Sequence, residues 1–199
     1  MTQEARPEPA SSREQREMPA SQDLRDFGAA RSRYAQDELA AAVARGATQC
    51  VILGAPFDRF ACLNEGSRLR VFEAEQLLGS CLGPKLRNLG FSDSEITFFS
   101  WLGAMPHPTV ESAIATFAFI GSRPDGSSVV FDYAAERSSL ESAWQTALDP
   151  LASRFARAGE PPRMFLDPGA LHAMLRAAGF RHIEDRRAAG SAHLVTALV

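Results

Sequence analysis

A glycine turn after an apolar run is the first place where residue types and spacing could do chemistry. Residues 51–60 read VILGAPFDRF, so the run is followed by Gly54, Ala55 and, three positions later, Asp58. Gly54 allows a tight turn, and the small side chain of Ala55 lets a ligand approach the backbone. Pro56 removes one N–H donor and fixes φ near about −65°. The pattern indicates a nucleotide-type cofactor site that lacks some of the usual donors.

Two glutamates follow at the distance expected for ribose recognition. Glu73 and Glu75 stand about 20 residues after the turn, at the end of a second strand-like run. An acidic side chain in this position commonly accepts hydrogen bonds from the two ribose hydroxyls of a nucleoside. The alternative is that Gly54 only closes a strand and that both glutamates are solvated.

Candidates for proton transfer follow the later strands. His107, between two prolines, is a candidate general base, although a histidine in such a loop is often simply exposed. Tyr133 is the second catalytic candidate, with Asp132 beside it, and Arg163 and Asp167 are further polar groups expected at the same edge. The other histidines fall within predicted elements and are interpreted as structural or surface residues: His172, His182 and His193.

Alternating helices and strands must position these residues. The predicted strands are 49–53, 68–73, 95–102, 127–133, 180–186 and 193–198. The predicted helices are 29–46, 75–89, 108–120, 138–158 and 168–178. This order predicts an α/β fold with a mostly parallel, Rossmann-like sheet and an antiparallel C-terminal hairpin.

Length and composition bound the organisation of the chain. Its 199 residues, 45% hydrophobic and 23% charged, suffice for one sizeable core. Residues 1–28 are rich in Pro, Ser, Glu, Gln and Arg and predict a flexible polar tail, with a short helix over 21–27 as the alternative. Residues 29–199 form the predicted domain.

Charge and cysteine usage exclude several classes of function. A net charge of −3 and the lack of any basic run longer than Arg186-Arg187 argue against nucleic-acid and membrane surfaces. Cys50, Cys62 and Cys81 have neither metal-ligand spacing nor an even count, so no metal site or disulfide is expected. No leader or membrane span is visible, which leads us to expect a cytoplasmic protein.

Several segments together resemble one known family. They are RSRYAQDELAAAVARGATQCVILGAPFDRFA, RVFEAEQ, TFFSWLG, GSSVVFDY and GEPPRMFLDPGALHAMLRAAGF. In this order they resemble the bacterial branch of the leucine carboxyl methyltransferase family, over roughly residues 29–190. The resemblance implies a class I methyltransferase fold, S-adenosylmethionine as cofactor and a small-molecule methyl acceptor.

The resemblance also implies roles for particular residues. The family's arginine that pairs with the carboxylate of the methionine moiety matches Arg33 of RSRY. The family's first turn usually reads Gly-Ala-Gly-Leu-Asp, so Gly54, Ala55 and Asp58 match while Pro56 departs from it. The turn therefore has one backbone donor fewer than the family pattern.

The second strand and the segment after it depart further from the family. Glu73 matches the usual Phe-Glu-Val-Asp, and Glu75 replaces its ribose-binding aspartate with a longer side chain. Only about 20 residues separate Glu75 from Ile96, whereas a further helix-and-strand crossover needs roughly 30. The sheet is therefore predicted to lack part of one crossover.

Three functions remain as hypotheses. The first is an O-methyltransferase that acts on a carboxyl or hydroxyl group of a small molecule. The second is a non-catalytic, truncated relative that acts through protein association, with a second copy or a partner covering the missing segment. A nicotinamide-dependent oxidoreductase is the weakest, because the sequence has no Gly-x-Gly-x-x-Gly.

Overall fold

Helices and strands alternate along the part of the chain that the structure, a computed structural model, describes: residues 22–53, 69–74, 79–102, 110–135, 165–189 and 192–199. The helices are α1 (Gln22–Ala44), α2 (Leu82–Asn88), α3 (Val110–Gly121) and α4 (Pro168–Ala177), and a 3-10 turn at Gly79–Cys81 leads into α2. The strands are β1 (Gln49–Ile52), β2 (Arg70–Glu73), β3 (Thr97–Trp101), β4 (Ser128–Ala135), β5 (Phe165–Leu166), β6 (His182–Ala189) and β7 (Ala192–Leu198).

One sheet contains all of these strands. Its order is β2-β1-β3-β4-β7-β6, and the two-residue β5 pairs in parallel with the end of β4. The first four strands in this order are parallel, while β7 is antiparallel to both of its neighbours. The predicted mostly parallel sheet with an antiparallel C-terminal hairpin is therefore confirmed.

The connection from β2 to β3 is short, as the sequence predicts. Strand β2 lies at one end of the strand order, and residues 79–96 contribute only the 3-10 turn and α2. The sequence predicts a helix over 75–89 weakened by Gly79, Gly83 and Pro84, and its described part is the 3-10 turn followed by α2, with a φ of +72° at Gly79. The described part of this connection thus contains one short helix, whereas a complete crossover would also contain a further strand.

The two faces of the sheet bury different kinds of side chain. Helices α2, α3 and α4 cover an aromatic-rich core in which the ring of Phe117 lies 5.1 Å from those of both Trp101 and Phe131. Helix α1 covers the opposite face with smaller side chains, among them Leu39 and Ala42. All residues of β1 and β3 are buried, as expected for central parallel strands covered on both faces.

Helix α1 runs antiparallel to β4. Arg45, just after the helix, donates from Nη2 to Oγ of Ser128 at the start of β4, while Arg31 lies beside Asp132 further along that strand. The amino-terminal half of α1 therefore lies at the edge of the sheet where the parallel strands end.

Helix α1 also begins earlier than the sequence predicts. Residues 22–28, assigned to the polar tail, form its first two turns. Once the buried face containing Tyr34 and Leu39 holds the helix, each added residue costs little, because propagation is far easier than nucleation. The predicted helix over 138–158 lies outside the described residues, and β5 is a strand that sequence patterns did not predict.

Candidate functional site

The carboxyl ends of the parallel strands form the edge at which such sheets bind ligands. Strands β2 and β3 lie on opposite sides of β1, so the chain changes direction across the sheet between β1 and β3. Ile52, at the end of β1, is level with Glu73 of β2 and Ser100 of β3. This point is the topological switch of the fold.

The structure locates part of the predicted cofactor site. Glu73 is exposed at the end of β2, next to the end of β1, as the ribose-binding prediction requires. Arg33 is exposed on α1. The remaining predicted residues lie outside the described part of the chain: Gly54, Ala55, Asp58, Glu75 and the base candidate His107.

A different arginine of α1 faces the edge of the sheet. Arg31 is 19% exposed, and its Nη1 lies 3.7 Å from Oδ2 of Asp132. Its Nε is buried and has no hydrogen-bond partner in the described residues. Helical spacing could have identified Arg31, because it lies three and four residues before the buried Tyr34 and Ala35 and so shares their face of α1. Arg33 lies on an exposed face of the same helix.

Two further buried polar atoms at this edge lack a partner within the described chain. They are Oγ of Ser100 and Nε1 of Trp101, the last two residues of β3. Buried polar groups in native proteins are nearly always hydrogen-bonded, so such atoms indicate a place where further contacts are made.

A second polar group lies between α4 and the other half of the sheet. The carboxylate of Asp185 on β6 binds three side chains: Tyr133 of β4, His172 of α4 and His193 of β7. Tyr133 donates its hydroxyl to Oδ2 at 2.7 Å, and Nε2 of His172 lies 2.8 Å from the same oxygen. Nδ1 of His193 lies 2.7 Å from Oδ1. We call these four residues the Asp185 cluster.

The electrostatics of the cluster fix the state of two members. Burial opposes ionisation of Asp185, but hydrogen bonds from His193, Tyr133 and His172 together outweigh it and lower its pKa. Burial, followed by the hydrogen bond and negative charge of Asp185, raises the pKa of Tyr133. Asp185 is therefore ionised at neutral pH, and Tyr133 stays protonated and acts as a donor.

Tyr133 is the one member of the Asp185 cluster that sequence reasoning proposes as catalytic. His172 and His193 are interpreted there as structural or surface residues and Asp185 is not singled out, whereas in the structure Tyr133 and both histidines contact its carboxylate. The antiparallel pairing of β4 with β7, which places His193 opposite Tyr133, is the signal that could have connected them. His182 is exposed.

No cluster of three His, Cys, Asp or Glu side chains among the described residues is arranged to hold a metal ion. None of the described helices combines the length and the apolar character that crossing a membrane requires.

Comparison with known proteins gives a family match and a fold match. The family model described as leucine carboxyl methyltransferase matches residues 1–78. No curated protein matches the sequence.

Solved structures share the fold at low sequence identity. A DUF574 family protein from Streptomyces avermitilis is 10% identical, with 88% of this chain and 83% of that chain covered and a TM-score of 0.57. The 1,6-didemethyltoxoflavin-N1-methyltransferase of Burkholderia thailandensis, solved with 1,6-didemethyltoxoflavin and S-adenosylhomocysteine, is 18% identical, with 88% and 82% covered and a TM-score of 0.55. The N-terminal domain of EvdMO1 with bound S-adenosylhomocysteine is 15% identical, with 84% and 80% covered and a TM-score of 0.50.

The chain thus has a class I methyltransferase fold, and its first 78 residues match the leucine carboxyl methyltransferase family, as the sequence resemblance predicts.

Proposed function

We propose that the chain is an S-adenosylmethionine-dependent methyltransferase that acts on an oxygen atom of a small-molecule carboxyl or hydroxyl group. The observation that carries this proposal is the switch point between β1 and β3 together with Arg31, which lies beside Asp132 of β4 at the same edge and has a buried Nε without a partner in the described chain. The family match over residues 1–78 and the methyltransferase neighbours support the same cofactor.

Arg31 fits the carboxylate of the methionine moiety. A guanidinium presents its donors in a planar fork that matches a carboxylate, and such charge-assisted hydrogen bonds are stronger than neutral ones. The side chain is already mostly removed from water, and Asp132 holds it at the carboxyl edge of the sheet. We therefore assign to Arg31 the role that the sequence match gave to Arg33.

The other contacts follow from the ends of the first two strands. Glu73, level with the end of β1, would accept hydrogen bonds from the ribose hydroxyls, with Glu75 as the second acidic side chain of that segment. Gly54, Ala55 and Asp58 are proposed to line the turn that follows β1. These roles remain proposals that rest on sequence position.

Bound S-adenosylmethionine would supply an electrophilic methyl group. The protein's part is to hold the acceptor oxygen in line with it, which replaces a bimolecular encounter by a positioned one. A carboxylate acceptor needs no base, whereas a hydroxyl acceptor has to lose its proton. His107 is the candidate base that the sequence offers near this edge.

The alternative, a non-catalytic relative that requires a covering partner, predicts apolar surface beside β2. Within the described residues the exposed large apolar side chains are Val43, Leu89 and Ile114. Leu89 lies in the shortened connection between β2 and β3 and is the apolar side chain that a covering partner would contact. Strand β2 itself exposes Arg70 and Glu73, and charged side chains protect an edge strand from pairing.

A thermal melt with S-adenosylmethionine, S-adenosylhomocysteine or NADH tests the proposal. A ligand at about 100 times its dissociation constant stabilises the fold by roughly 2.7 kcal/mol, so the first two compounds should raise Tm by several degrees. NADH should have no effect and serves as the control. A cooperative melt that neither sulfur compound shifts would contradict the proposal and favour the non-catalytic alternative.

A further inference from the structure

The Asp185 cluster has a hydrogen-bond pattern that fixes the protonation of both histidines. Because Asp185 is ionised, its oxygens can only accept hydrogen bonds, so each histidine nitrogen that contacts them must carry a hydrogen. His172 therefore has its hydrogen on Nε2, and His193 has its hydrogen on Nδ1. In the neutral rings the lone pairs are then on Nδ1 of His172 and Nε2 of His193.

His172 is the member of the cluster that a ligand can reach. Its side chain is 31% exposed, against 18% for His193 and 9% for Asp185. It lies in the amino-terminal half of α4, and no described residue hydrogen-bonds to its Nδ1. The ring of His193, by contrast, packs on Tyr133 with 4.8 Å between centroids.

The cluster also lies at the correct edge of the sheet. Tyr133 is the sixth residue of the eight-residue β4, so the cluster is near the end at which the parallel strands finish. Asp167, the N-terminal cap of α4, is close enough for its charge to act on Tyr133. An imidazole oriented by a buried carboxylate is the arrangement that many enzymes use to remove a proton from a hydroxyl group.

We propose that His172, in place of the sequence candidate His107, is the base that deprotonates a hydroxyl methyl acceptor, with Asp185 as its positioning residue. This inference rests on the proposed methyl transfer. As the acceptor oxygen forms its bond to the methyl carbon, the carbon–sulfur bond breaks and its electron pair stays on sulfur. The hydroxyl proton passes to Nδ1 of His172, and the carboxylate of Asp185 balances the charge of the imidazolium. The acceptor class is therefore a hydroxyl compound rather than a carboxylic acid.

The tautomers provide the first test, because nitrogen-15 NMR distinguishes protonated from unprotonated imidazole nitrogens. In the labelled wild-type protein, at a pH where both imidazole rings are neutral, His172 should show its hydrogen on Nε2 and His193 on Nδ1. A hydrogen on Nδ1 of His172 would overturn the proposal, since the base nitrogen would then have no lone pair.

Reactivity provides the second test, with diethyl pyrocarbonate as the probe and peptide mapping as the readout. His172 should react at least as fast as the exposed His182, although it is only 31% exposed. Asp185→Asn removes the negative charge, and its single acceptor oxygen cannot serve both histidines, so the rate at His172 should fall about 10-fold or more. The rate at His182 should not change, and a cooperative denaturant melt of the variant shows that it is folded.

Two results would overturn the proposal: a rate at His172 below that at His182 in the wild type, or an unchanged rate in Asp185→Asn. Neither test uses S-adenosylmethionine. If His172 is reactive but S-adenosylmethionine does not stabilise the protein, the oriented histidine is supported and the proposed methyl transfer is contradicted.

Discussion

The two halves of the sheet treat their buried polar side chains in opposite ways. At the carboxyl ends of β3 and β4, Oγ of Ser100, Nε1 of Trp101 and Nε of Arg31, which lies beside Asp132, have no hydrogen-bond partner in the described chain. Across β4, β7 and β6, the carboxylate of Asp185 receives three hydrogen bonds and pairs a tyrosine with two histidines. In the first half the buried polar atoms can still form hydrogen bonds to a ligand. In the second half the hydrogen bonds are already formed within the protein.

Energetics explain why the two arrangements suit different roles. A buried polar group without a partner costs about 1–3 kcal/mol, and a ligand that supplies the partner recovers that free energy as affinity. A group that must accept a proton needs a fixed tautomer and orientation at the start, which a hydrogen-bonded carboxylate provides. We therefore interpret the β1–β3 half as the cofactor side and the β4–β6 half as the proton-transfer side.

The largest effect is expected from the core that both halves share. Phe117 is fully buried and contacts the rings of Trp101, Phe131 and Phe180. Phe117→Ala should lower the free energy of unfolding by about 3–5 kcal/mol, measured by denaturant titration. Leu89→Ala, at a side chain that is 59% exposed, should change it by less than about 0.5 kcal/mol. Equal effects would contradict the burial of Phe117 between the two halves.

Removal of the central carboxylate should have the next largest effect. Asp185→Ala leaves Tyr133 and the two histidines without their common acceptor, and should cost about 2–3 kcal/mol of unfolding free energy. Asp125→Ala removes an ion pair with Arg181 in which both side chains are more than 70% exposed, and should cost roughly 0–1 kcal/mol. Denaturant titration of both variants checks the contrast, which similar losses would contradict.

A matched pair of arginines tests the cofactor half. Arg31→Ala should weaken binding of S-adenosylhomocysteine by about 10- to 100-fold, because it removes a charge-assisted contact worth about 1.5–3 kcal/mol. Arg33→Ala, two residues away on the exposed side of α1, should leave the affinity nearly unchanged. Titration calorimetry on both variants measures the difference. The opposite order would restore Arg33 to the role that the sequence suggested.

The smallest effect is expected for the two tyrosines, because neither should ionise near pH 10 while the protein is folded. Burial raises the pKa of both tyrosines in the chain, Tyr34 on the α1 face and Tyr133 on the α4 face. A raised folded pKa means that their stabilising contribution is complete below the unfolded value of about 10 and declines as the pH rises above it. Near-ultraviolet absorbance should show no tyrosinate near pH 10 until the protein unfolds. Reversible ionisation there in folded protein would contradict the burial of one of them.

The sequence predicted the sheet well because its signals are local. Apolar runs such as 49–53 and 95–102 mark central strands whatever surrounds them, and the short spacing after Glu75 predicted the reduced crossover. The start of α1 was predicted too late, because a polar helical end has no apolar pattern and depends on the buried turns that follow it.

The polar contacts were harder to predict because they depend on register. Asp185 meets Tyr133 only because β7 pairs antiparallel with both β4 and β6, and residues 52 positions apart then become neighbours. The choice of Arg31 over Arg33 depends on which face of α1 packs on the sheet. A match to a family motif identifies the helix or strand that carries a residue. The packing of that element determines which of its side chains faces the site.

Hydrogen exchange with and without S-adenosylhomocysteine tests the division of the sheet most directly. The account predicts slower exchange in peptides that cover the ends of β1 and β3, around residues 52–53 and 101–102, and unchanged exchange across β6. The measurement should use the full chain with a saturating concentration of the ligand. Protection confined to β6 and β7, or no protection anywhere, would contradict the assignment of the β1–β3 half to the cofactor.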